Sequence, residues 1–183
     1  MARIDILKKK IESYLKKEQL LKSTEYTKLE KPYLAKARKN FTAANLLFRI
    51  SDQEKLKDIL NLAFDFYFYD WVIIISYYAM YISALAALVK LGFKSKSHAA
   101  TIAVLEYYYA HQPKDLGVKY LQQLTKAYII SEELINKLTQ TKMRRENAQY
   151  DATHAISREN AVVALNDAEE FVSKIEEILE VSK

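Results

Sequence analysis

The chain has no cysteine, so disulfides and thiolate metal sites are both excluded, and a reducing compartment is the natural expectation. It has only two glycines and two prolines in 183 residues. Sheets and long irregular loops need more turn chemistry than that, which predicts a nearly all-helical protein. No glycine-rich phosphate loop is present. The three histidines, His98, His111 and His154, lack the i, i+4 partner of a helical zinc pair. The Glu-x-x-His pairs of a dinuclear carboxylate site are also missing. Oxidoreductase, kinase and metallohydrolase readings are therefore weak, and neither a metal nor a cofactor is expected. The N-terminal residues are charged and lack the apolar stretch of a signal peptide, consistent with a cytoplasmic protein.

What the chain does have is one long apolar stretch, Asp70 to Phe93, with no charge between Asp70 and Lys90. Its apolar side chains fall on every face, which predicts a helix buried all round, ended by Gly92 in a left-handed conformation. About 19 uncharged residues is near the lower limit for crossing a bilayer. Tyr77, Tyr78, Tyr81, Ser76 and Ser83 lie mid-segment, however, whereas membrane spans keep aromatic hydroxyls at the interfaces. Ala79, Ala84, Ala86 and Ala87 suit close helix approach. The centre of a soluble bundle is the better reading, and no membrane is expected as a partner.

Other segments follow helical spacing. Ile4, Leu7, Ile11, Tyr14 and Leu15 mark an amphipathic helix within 2–21, with Lys8, Lys9, Lys10, Lys16 and Lys17 on its other sides. Pro32 reads as a break, followed by a helix from about Tyr33 to Ile50 with Ala37, Phe41, Ala44 and Leu47/Phe48 inward. Ser51-Asp52 offers an N-cap for a helix over about Gln53–Phe64. The aromatic run Phe64–Asp70 reads as core packing rather than as a platform for bases. Ser97 caps a helix from His98 to about Ala110, His111–Gly117 forms a loop, and a helix spans about Val118–Tyr128. Ser131 opens the next helix, with Glu132 and Glu133 at the positive end of its dipole. Ser157 opens the last, with Ala161, Leu165, Ala168, Phe171, Ile175 and Leu179 on one stripe.

These elements predict an all-α, up-and-down bundle of four to five core helices with an extra basic N-terminal helix. The expected division is 1–31 for that helix and its linker and 32–183 for the bundle. Charge is uneven: residues 1–40 hold 10 Lys and 2 Arg against 1 Asp and 4 Glu, a balance of +7. From Ser157 onward, 3 basic residues face 7 acidic ones, a balance of −4. A basic face suits RNA or a membrane surface, and a solubilising lysine coat accounts for it equally well. One polar cluster stands out: Lys142, Arg144, Arg145, Asn147, Tyr150 and His154. Two adjacent arginines can hold a phosphate in bidentate fashion, or can bridge to Glu146 or to the acidic last helix.

The string Y-Y-A-M-Y-I-S-A-L-A-A-L-V-K-L-G-F-K-S-K-S-H, from Tyr77 to His98, resembles the central helix of HEPN-domain proteins. The segment R-E-N-A-Q-Y-D is similar to that family's Arg-x-x-Ala-x-Tyr segment, and E-N-A-V-V-A-L-N-D-A-E-E-F-V to its closing helix. The resemblance spans about Tyr33 to Leu179. It implies a helical bundle that commonly forms a homodimer and often acts as a metal-independent endoribonuclease. It also implies a toxin role, with a nucleotidyltransferase antitoxin as the partner. In catalytic members an Arg binds the scissile phosphate, and a His four to six intervening residues later handles the proton of the 2′-hydroxyl.

This chain departs from that spacing. After Arg145 the corresponding positions hold Tyr150, Asp151 and Ala152. His154 comes later, and on a continuous helix nine residues turn about 900°, placing it opposite Arg145. Tyr150 takes the family's aromatic position, but a phenol with a pKa of about 10 is a poor base at neutral pH. The resemblance implies instead that Tyr150 is an acceptor for nucleotidylation by the partner. The candidate catalytic set is thus Arg145, Tyr150 and His154, with Arg144, Lys142, Asn147, His98 and Lys96 as phosphate or RNA contacts. The alternative is a catalytically inactive HEPN module that binds nucleotide, RNA or a partner protein.

Overall fold

A computed structural model describes residues 3–110, 130–150 and 156–181 of the chain. Its helices are α1 (Arg3–Lys16), α2 (Glu30–Asp52), α3 (Glu54–Ile59), α4 (Tyr69–Lys90), α5 (His98–Leu105), α6 (Glu132–Tyr150) and α7 (Arg158–Val181). A 3₁₀ turn covers Thr24–Leu29, and a π-type turn over Glu106–Ala110 prolongs α5. Two three-residue strands, β1 (Leu20–Lys22) and β2 (Phe93–Ser95), pair antiparallel with Leu21 opposite Lys94. The expected loop over His111–Gly117 and the helix over Val118–Tyr128 lie outside the described residues.

The apolar stretch becomes α4, the axis of an all-helical bundle. It packs most extensively on α2, then on α7 and α6. Ser76, Ala79, Ser83, Ala84, Ala86 and Ala87 are completely inaccessible to solvent, because small side chains let three helices approach one rod. By length and composition α4 is apolar enough to cross a membrane, yet 72% of its most apolar window is buried inside the fold. The predicted stripe of α7 is buried throughout, as are Ala37, Phe41 and Ala44 of α2. On α1, Leu7 and Ile11 join the same core cluster, so this basic helix is docked on the bundle, mainly against α5.

The end of α4 sets the course of the chain into β2. The amide of Leu91 donates to Leu88, that of Gly92 donates to the Val89 carbonyl at 2.9 Å, and the Tyr109 hydroxyl donates to the Ala87 carbonyl at 2.7 Å. These bonds satisfy carbonyls that a helix end otherwise leaves without intrahelical partners. Gly92 has φ +78°, and its carbonyl accepts from the amide of Ser23 at 2.9 Å. A Cβ there would meet the Ser23 carbonyl oxygen at 3.1 Å, so glycine is needed both for the turn and for the close approach of β1.

Several local expectations are corrected. The first helix stops at Lys16, and Glu18 takes φ +55° to turn the chain into β1. Pro32 does not break a helix. It sits in the first turn of α2, where its missing N–H would have no partner anyway. Ser51 does not cap α3. It ends α2, and its hydroxyl donates to Leu47 and accepts from the Phe68 amide at 2.8 Å, which caps the start of α4 from a distance. The helix expected to reach Phe64 ends at Ile59, and Asn61 then takes φ +53°. Nor is the aromatic run core: Phe64, Phe66 and Tyr67 are 70%, 45% and 46% exposed, and within this run only Tyr69 is buried. Lys57 organises the turn, donating to the Phe64 carbonyl at 2.7 Å with its ammonium 3.9 Å from the Tyr67 ring centre.

Candidate functional site

Two consecutive tyrosines of α4 point to two different helices. Tyr77 is buried and its hydroxyl is hydrogen-bonded to Nδ1 of His98, the first residue of α5. Tyr78 is partly exposed and accepts a hydrogen bond from Arg145 Nη2 of α6 at 3.0 Å. The Arg145 guanidinium also lies 5.9 Å from the Tyr77 ring centre and 5.6 Å from that of Tyr78. Cation–π attraction therefore adds to the hydrogen bond in holding it. Tyr81, one turn further along, stacks on Tyr77 and lies 4.2 Å from His98, centroid to centroid. A guanidinium and an imidazole far apart in sequence thus meet the same tyrosine ring.

The elbow carrying His98 is made of serines. Ser97 is the N-cap of α5, its hydroxyl accepting from Ala100 at 3.1 Å, and the Ser95 hydroxyl donates to the Ser97 carbonyl at 2.8 Å. Buried Thr101 donates to the same carbonyl at 3.1 Å. With β2 held by β1 on its other side, the imidazole has little freedom.

Burial lowers the pKa of His98 from its ordinary value, and the charges of Lys142 and Arg145 lower it further, while Glu146 opposes them. Burial raises the pKa of Tyr77 and of Tyr81. At neutral pH the cluster is a neutral imidazole and neutral phenols beside a permanent cation. When Nδ1–H donates to the Tyr77 oxygen, Nε2 retains its lone pair as a base.

The predicted site residues do not all converge. Arg145, His98 and Lys142 gather here, with Lys142 paired to Glu146 at 3.1 Å. Arg144 points elsewhere: it donates to Asp167 of α7 at 3.0 Å, and Asp167 is only 8% exposed, so this arginine bridges α6 to α7. Asn147 and Lys96 are exposed. Tyr150 is the last residue of α6, but its side chain lies outside the described residues, as does His154. Sequence reasoning overlooked Tyr77, Tyr78 and Tyr81 as site residues. The signal was present, since a phenol inside an apolar helix must find a polar partner. Among the described residues, no group of three or more His, Asp or Glu is placed to hold a metal ion.

A family model described as the HEPN domain matches residues 52–178, more than half of the chain. The match begins well after Tyr33, so α1, β1, the 3₁₀ turn and nearly all of α2 precede it. No curated protein matches the sequence.

Proposed function

The chain belongs to the HEPN-domain family, and on that premise we propose that it is an RNA-directed toxin, a metal-independent endoribonuclease built on Arg145 and His98. Arg145 holds the scissile phosphate, and neutral His98 takes the proton from the neighbouring 2′-hydroxyl. The 2′-oxygen bonds to phosphorus and the P–O5′ bond breaks, leaving a 2′,3′-cyclic phosphate. The departing 5′-oxygen takes its proton from water. Tyr77 orients the imidazole, and Tyr78 holds the guanidinium until phosphate replaces it. The single observation that supports this reading is the convergence of Arg145 and His98 on Tyr77, which puts a base beside the arginine without the family's usual spacing.

The reading includes a homodimer, with RNA shared between the two copies, and a nucleotidyltransferase antitoxin that silences the toxin by modifying Tyr150. The test is incubation of the purified protein with RNA in EDTA. Cleavage that persists in chelator, yields cyclic phosphate ends and disappears in both Arg145→Ala and His98→Gln is expected. Cleavage unaffected by His98→Gln would refute the assigned base. A second reading, a binding module without turnover, is favoured by the engagement of His98 with Tyr77. RNA binding with no cleavage under any condition would select it.

A further inference from the structure

Residues before the family match join others within it to build a second feature next to His98. Lys94 lies within β2, and exposed Lys96 follows at the bend that ends it, next to Ser97, the N-cap of α5. The amide of Lys96 donates to the carbonyl of Gln19 at 2.9 Å, which brings in the end of α1 with exposed Lys16 and Lys17. The Lys94 ammonium lies 5.6 Å from the ring centre of Tyr26 in the 3₁₀ turn, adding an aromatic face. Lys96 is two residues from His98, across the serine elbow. Among the described residues, the ion pairs engage none of Lys16, Lys17, Lys94 and Lys96.

We propose that this lysine cluster is a track that leads single-stranded RNA past β2 to His98 and Arg145. The inference rests on the RNA-directed reading above. It differs from that reading in assigning substrate capture to lysines outside the catalytic pair, some of which precede the family match. The polyanionic backbone supplies the complementary charge, and the half-buried Tyr26 lies beside Lys94.

The test is fluorescence anisotropy with a labelled single-stranded RNA over a range of salt concentrations. It uses the full chain, the triple variant Lys17→Gln/Lys94→Gln/Lys96→Gln and the matching Lys→Arg triple. Removing three phosphate contacts should flatten the slope of log affinity against log salt by about 2. The arginine triple should restore it, which separates lost charge from damaged folding. RNA binding with the same affinity and slope in the glutamine triple overturns the track while leaving the RNA reading intact. No RNA binding by the unaltered chain, even at low salt, overturns both. Loss of binding to vesicles containing anionic lipid, with RNA binding unchanged, reassigns the lysines to a membrane surface and overturns the track.

Discussion

Replacing Gly92 with alanine probes the joint that sets α4 against β1 and aims the elbow at His98. Two costs add. An L-residue held in the left-handed region costs about 1–2 kcal/mol, and φ +78° lies in that region. The new Cβ would also stand 3.1 Å from the Ser23 carbonyl oxygen. That oxygen belongs to backbone tied down by the Ser23 amide bond to Gly92, so it yields only by shifting β1. Forcing a methyl group into a packed contact costs about 1 kcal/mol at the low end. The total, about 2–3 kcal/mol, corresponds to a fall in Tm of about 4–12 °C for a chain of this size. Thermal and urea denaturation followed by circular dichroism measure it. Gly92→Asn separates the two contributions, because asparagine tolerates the left-handed region but carries the same Cβ. Asparagine should cost about 1 kcal/mol less than alanine. A loss below about 0.5 kcal/mol for alanine, within the range of an ordinary surface change, would refute the reasoning. Equal losses for the two variants would refute the part assigned to φ.

Other perturbations give distinct outcomes. Tyr109→Phe strips the partner from the Ala87 carbonyl inside the core, and urea unfolding should show a loss of about 1–3 kcal/mol. Arg144→Ala and Arg145→Ala should separate: the former removes the part-buried bridge to Asp167 and costs up to about 1 kcal/mol of stability without touching the site, while the latter should abolish the proposed RNA cleavage. His98 has a folded-state pKa below its ordinary 6.5, so the unfolded chain binds more protons in that window. Stability should therefore rise with pH up to about 6.5 and fall as pH drops below it. In His98→Gln that part of the pH dependence of the urea midpoint should vanish.

Much of the fold could be read from residue spacing, because the elements that matter most are local. The uncharged run of α4, the inward stripe of α7 and the serine caps before α5, α6 and α7 each announce themselves within a few residues. Contacts set only by tertiary packing could not be read. The pairing of Leu20–Lys22 with Phe93–Ser95 joins three-residue strands from distant parts of the chain, and neither has an alternating pattern long enough to notice. The aromatic run next to α4 looked like core because its neighbour is core, whereas the turn at Asn61 and the hold of Lys57 leave Phe64 and Tyr67 facing solvent. In the site, Arg145 stood out by residue type. His98 was recognised only as a secondary contact, because what brings it to the arginine is a tyrosine that composition files under hydrophobic.

Tyr77 and Tyr78 are neighbours on α4, the helix at the centre of the bundle. One grips the helix bearing the imidazole and the other the helix bearing the guanidinium. The separation of the imidazole and the guanidinium is therefore gauged by a single peptide unit of α4. Enlarging one of the buried alanines of α4 would therefore move both grips at once.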